Sequence, residues 1–192
     1  AITVFEAQNR TGRLGTTYNK LGEVYIAQDK FNEAYDVLIK GLNIHQSNNF
    51  QYGVSEANNR LGQLFLKRNE FEKGLKYLYT SLEISESIND QEGVARGYEN
   101  IGSAYLENNE LSNARIFLER GVGASKRVAS KRWLRDVYQG LKNLSIKERN
   151  FTRAMAYNDL YMAMKDSLFN EQMANRIAEM EKKNEMEVKE RE

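Results

Sequence analysis

The stretch Arg60–Leu82, RLGQLFLKRNEFEKGLKYLYTSL, decides the fold. It opens on Leu61-Gly62, with Phe65 three residues after the glycine, Phe71 six later, Gly74 three after that and Leu78 a further four on. The same residue kinds recur at forty-residue steps along the chain. Leu21-Gly22, Ile101-Gly102 and Leu141 share the first column. Tyr25 and Tyr105 align with Phe65, and Phe31, Leu111 and Phe151 align with Phe71. Ala34, Ala114 and Ala154 align with Gly74, and Leu38 and Leu118 with Leu78. Five columns at one spacing identify an internal repeat whose units stack on one another. The chain has no proline and 13 glycines in 192 residues, so little interrupts long helices and an all-helical fold is expected.

The order Leu-Gly, aromatic, large apolar, small resembles the tetratricopeptide repeat over about residues 11–167. In that family small residues let two antiparallel helices approach and aromatics fill the gap between them. The resemblance implies an all-α right-handed solenoid (superhelix) of four helix pairs, at about 11–50, 51–90, 91–130 and 131–167. Residues 1–10 align with the end of a preceding unit, and 168–192 read as a long C-terminal, coiled-coil-like signalling helix. The period of forty exceeds the usual 34, which lengthens each helix by nearly one turn. Helices are expected near 12–28, 31–47, 51–68, 71–88, 91–108, 111–127, 132–148 and 151–165. Asp29, Asn69 and Asn109 read as N-caps of the second helices, with Glu72 a capping-box partner of Asn69. Asn49 and Asn89-Asp90 read the same way between units. The fourth unit is degenerate, with Lys142, Ser145 and Asn158 in place of the glycine, the aromatic and the leucine.

Composition narrows the function. Twenty-eight basic and 27 acidic residues leave a net charge of +1, so no global field draws this stretch to nucleic acid or membrane. Cysteine is absent and His45 is the only histidine, which excludes disulfides, thiolate chemistry and a His- or Cys-built metal site. His45 reads as a surface or capping residue. No Walker or dinucleotide motif occurs, and no serine has a base near it in sequence. No cofactor and no catalysis are expected of these residues. The chain begins at Ala1 without an initiator methionine and reads as a piece of a longer protein.

Binding is expected on the concave face, lined by the first helix of each unit. The outward positions are Thr16, Asn19, Glu23 and Ile26; Glu56, Asn59, Gln63 and Leu66; Arg96, Glu99, Ser103 and Leu106. Lys20, Arg60 and Asn100 stand beside them. The candidate partner-binding set is Asn19, Glu23, Asn59, Arg60, Gln63, Arg96, Glu99, Asn100 and Ser103, against the alternative of a plain solvated face. A protein or peptide is the expected ligand. Glu23 and Glu99 interrupt any basic clamp for a terminal carboxylate, the mode the family resemblance would suggest. A second candidate is the basic turn Lys126, Arg127, Lys131, Arg132 and Arg135, which also holds Trp133, the only tryptophan. It reads either as an anion or partner contact or as a solvated turn with Trp133 packed on the neighbouring helix.

Asp166-Ser167 can cap a new helix with an apolar seam Met173, Ile177, Met180, Asn184, Val188, the four-three spacing of a coiled coil. Leu168 and Phe169 are expected to close the end of the solenoid. The run Lys165-Asp166-Ser167-Leu168-Phe169-Asn170-Glu171, followed by Arg176-Ile177-Ala178-Glu179, resembles the junction in bacterial sensor histidine kinases with amino-terminal tetratricopeptide repeats, and in related helix-turn-helix regulators. That resemblance implies an extracytoplasmic, periplasmic sensor region, with a cytoplasmic regulator or a stand-alone adaptor as alternatives. It also implies a homodimer through 168–192, and membrane contact only through a downstream segment.

Overall fold

A computed structural model describes residues 11–189. The alignment of residues 1–10 with a preceding unit lies outside them. The fold is an all-α solenoid of the tetratricopeptide-repeat type. Its helices are α1 (Thr11–Ala27), α2 (Phe31–Ser47), α3 (Gln51–Lys67), α4 (Phe71–Ser87), α5 (Gln91–Glu107), α6 (Leu111–Arg127), α7 (Lys131–Lys147) and α8 (Phe151–Lys189). The first seven are each 17 residues long, about 25 Å. Three residues join each helix to the next, so the backbone repeats every twenty residues inside the forty-residue sequence repeat.

The turns explain that regularity and correct the expected caps. Asp29, Asn49, Asn69, Asn89, Asn109, Ala129 and Arg149 all have φ between 51° and 63°. They end the helix before them rather than begin the one after. Lys30 N–H donates to the Tyr25 carbonyl at 2.9 Å and Asp29 N–H to the Ile26 carbonyl at 3.1 Å, the paired bonds of a Schellman C-cap. The same pair recurs at every turn, through Asn150 to Ser145 at 2.8 Å and Arg149 to Ile146 at 2.9 Å. Asn and Asp suit these positions because they tolerate the left-handed region better than other non-glycine residues. The N-caps fall one residue later. Lys30, Glu70 and Glu110 make no side-chain cap, so the Asn69–Glu72 box does not form. Asp90 does cap, accepting from Gly93 N–H at 3.0 Å, as does Ser130 from Trp133 N–H at 3.4 Å.

Packing follows the columns. In α3, Ala57, Leu61, Leu64 and Phe65 are buried, the spacing of one helix face. Gly62 lies against Leu78: a Cβ there would sit 2.7 Å from the leucine side chain and 3.1 Å from the Gly74 carbonyl. Gly22 meets Leu38 and Gly102 meets Leu118 in the same way. The Leu-Gly column therefore exists to seat the leucine of the second helix. In the fourth unit Lys142 takes the glycine's place and lies 5.0 Å over the Tyr161 ring.

The last helix departs from the plan. Helix α8 runs unbroken for 39 residues through Asp166-Ser167, which are helix interior and cap nothing. Tyr157, Tyr161 and Met164 pack on the core cluster of Leu118, Val137 and Leu141. Leu168 is half-buried at the end of this face, but Phe169 is 60% exposed and closes nothing. From Phe169 to Asn184 every residue is exposed. No described helix is long and apolar enough to cross a membrane.

Candidate partner-binding groove

The first helices α1, α3, α5 and α7 bring their exposed sides to one groove of about 790 Å³. Glu23, Asn59, Arg60, Gln63, Arg96, Glu99, Asn100 and Ser103, all named from the sequence, line it together. Asn19 does not join them. It is 4% exposed, and its Nδ2 reaches His45 Nε2 and the Gly53 carbonyl, each at 3.4 Å.

A chain of charges crosses the groove. Arg60 bonds Glu23 at 2.9 Å and Glu56 at 3.4 Å, and Arg96 bonds the other Glu56 oxygen. Three helices are thus linked by two guanidinium groups sharing one carboxylate. The remaining polar atoms on this floor are donors left over. Asn59 Nδ2, Arg60 Nε, Arg96 Nε and Nη2, and Asn100 Nδ2 are buried without a partner. These donors lie beneath the groove lining, each with almost no accessible surface of its own, among the polar side chains that form its floor. Gln63 Nε2 donates to Asn100 Oδ1 at 3.4 Å, which holds that amide with its nitrogen free.

Glu99 is the exception in chemistry. It is half-buried, and Ser103 Oγ donates to it at 2.8 Å. Burial first, then the nearby Asp136 and Glu107 charges, push its carboxyl up to about 7, against the Ser103 bond.

The fourth unit contributes more than the sequence reading allowed. Asp136, Gln139, Asn143 and Lys147 of α7 line the same groove. Asp136 and Gln139 stand forty residues after Arg96 and Glu99, and Asn143 forty after Ser103. The columns already pointed to them; the degenerate core of that unit hid its outer face.

The basic turn is dispersed. Arg135 pairs with Asp136 at 2.6 Å, and Lys131 reaches across to Glu171 of α8 at 3.3 Å. Arg132 stacks 4.8 Å from the Trp133 ring, and both line the groove. Lys126 and Arg127 are exposed. Trp133 packs partly against the α4–α6 core, as the plainer of the two sequence readings expected.

His45 overturns its expectation. It is fully buried, not a surface or capping residue. It fills a slot made by two glycines: a Cβ at Gly53 would sit 2.3 Å from its Nδ1 and one at Gly15 2.7 Å from its Cε1. Burial lowers its pKa, opposed by the Gly15 backbone and by Glu56. Burial works against charging the imidazole, which sits as a polar spacer between units. The next interface does the same with hydroxyls, Ser55 Oγ lying 2.7 Å from Ser85 Oγ and 3.0 Å from Ser81 Oγ. The paired glycines around position 45 were the available signal.

The geometry agrees with the comparisons. Residues 53–127 match the model of the tetratricopeptide repeat. That stretch is a tetratricopeptide-repeat segment. No curated protein matches the chain. The crystal structure of BtubC (BKLC) from P. vanneervenii superposes with a TM-score of 0.69 at 20% identity, over 81% of this chain and 64% of that one. Aspartyl phosphate phosphatase F from Bacillus subtilis superposes with a TM-score of 0.76 at 14% identity, over 82% of this chain and 41% of that one. This chain spans less than two-thirds of either structure, and at these identities the likeness is one of fold.

Proposed function

We propose that this tetratricopeptide-repeat solenoid is a non-catalytic protein-interaction module that takes an extended protein or peptide segment in its α1–α3–α5–α7 groove. The observation that carries this reading is the convergence of polar side chains from four helices, Asn59, Gln63, Arg96, Asn100 and Asn143 among them, on one groove of about 790 Å³. Tetratricopeptide repeats generally bind protein partners, which supports the same class of ligand.

The finer reading is a sensor region of a two-component histidine kinase, on the extracytoplasmic side of the membrane. It is supported by the Lys165–Glu171 junction and by the continuity of α8. Groove residues Asn143 and Lys147 sit on α7, α7 packs on α8, and α8 projects onward as one rigid rod. Occupancy of the groove would tilt the last pair and move the far end of that rod. Exposed Met173, Ile177 and Met180 would pair it with a second copy. A stand-alone scaffold or the regulatory half of a helix-turn-helix regulator would use the same groove without a membrane.

Display of random peptides against the whole chain tests the groove. Selected peptides are expected to lose at least about tenfold in affinity on Arg96→Ala, the cost of one charge-assisted contact. Undiminished binding by that variant would place the site elsewhere. Sedimentation of the chain shortened at Phe169 tests the rod; a dimer that persists without it removes the pairing.

A further inference from the structure

The groove changes character along its length. Toward α3 its lining is amide and guanidinium, with Asn59, Arg60, Gln63 and Asn100 among the residues that form it. Toward α7 it offers an acid. Glu99 stands forty residues after Asn59, so a carboxyl replaces an amide at a repeated floor position.

The groove's own cations are committed away from Glu99. Arg60 and Arg96 hold Glu56 and Glu23, Arg132 lies over Trp133, and Lys147 Nζ donates to the Leu106 carbonyl at 2.8 Å. From α7 it is Asp136 that acts on Glu99, and from its own helix Glu107, both like charges. From α3 the charged groups lining this groove are Glu56 and Arg60, already paired. From α6 the bare backbone of Gly121 packs against this position, where a Cβ would stand 3.6 Å from Glu99 N.

A half-buried carboxyl with no counter-ion has two ways to settle. It takes a proton, or it takes a cation from outside. We propose that Glu99 is the seat for a Lys or Arg side chain of an extended partner peptide lying along the groove. The proposal rests on the groove reading above and adds the partner's chemistry. The ammonium or guanidinium forms a charge-assisted bond to the carboxylate, and its apolar stem has Trp133 in the same groove to lie along.

Only the ionised carboxyl binds the cation, so the free form gives up its proton on binding. With the free carboxyl at about 7, affinity is full above neutrality and falls by about tenfold between pH 8 and pH 6. The test uses the full chain and two fluorescent peptide libraries blocked at both ends. One carries a fixed central arginine, the other citrulline, which keeps the shape and removes the charge. Anisotropy titrations at pH 8 are expected to favour arginine by at least about tenfold, a preference that shrinks at pH 6. Glu99→Gln should abolish both the preference and the pH dependence while leaving helicity intact, and Glu107→Gln should preserve the preference. Equal binding of the two libraries, or a preference that survives Glu99→Gln, overturns the cation seat. If Arg96→Ala still weakens both libraries equally, the groove reading stands while the seat falls. If neither library binds, both fall.

Discussion

Helices α7 and α8 begin alike and end differently. Each starts two residues after a left-handed turn residue, Ala129 or Arg149, and each packs on the cluster around Leu118 and Leu141. Helix α7 stops after 17 residues at such a turn, whereas α8 passes the corresponding point at Phe169 and continues for twenty more. Two physical differences coincide there. A bulky aromatic is poorly suited to the left-handed region. And the residues beyond are polar at two positions the core uses: forty residues after Leu141 and Leu144 stand Glu181 and Asn184. Arg149 shows that an unsuitable side chain alone does not prevent a turn, since it adopts φ 59° regardless. The polar residues at these two core positions therefore account better for the unbroken helix. A turn in this fold is held by the helix it delivers to the core.

The contrast can be broken most forcefully in the core. Leu118 is fully buried against Gly102 and Gly140, so Leu118→Ala is expected to cost about 2–5 kcal/mol in chemical denaturation. Ile177→Ala on the projecting helix should stay within about 0.5 kcal/mol in a monomer. A loss at Ile177 comparable to that at Leu118 would mean that the rod has a partner.

A smaller effect separates acids in the two regions. The Glu99 carboxyl is raised, so the folded chain holds this proton better than the unfolded chain does. That contribution is complete at pH below about 4.5 and is lost as pH rises through about 7. Glu99→Gln should therefore stabilise the protein at pH 8 by roughly 1–3 kcal/mol, with the gain vanishing near pH 4. Glu179→Gln, on the exposed rod, should change stability little at either pH. A pH-independent gain at position 99 would show that packing, not charge, limits that site.

The smallest effect tests the cause assigned to the turn. Arg149→Gly relieves a left-handed non-glycine residue and should add about 0.4–1 kcal/mol. Phe169→Asn supplies the residue favoured at five of the other turns or its close relative, yet should leave helicity by circular dichroism unchanged. A drop in helicity at that variant would return the cause to the side chain.

The sequence by itself determined the fold class, the repeat and most of the groove. These depend on apolar and small residues recurring at a fixed spacing, and eight of the nine residues of the candidate partner-binding set line one groove. Position on a regular helix follows from spacing alone. The tertiary structure decided what spacing cannot express. Asn69 and Asp29 proved to end helices rather than start them, because in a three-residue turn the same residue neighbours both ends and only the backbone dihedral tells them apart. His45 proved buried because glycines on two other helices, Gly15 and Gly53, open a slot for it. The raised carboxyl of Glu99 comes first from its burial in the assembled groove and then from Asp136 on another helix, forty residues after Arg96. Helix α8 stayed whole where folding back would have put Glu181 and Asn184 at core positions, an energetic comparison between two folded shapes and not a property of any local stretch.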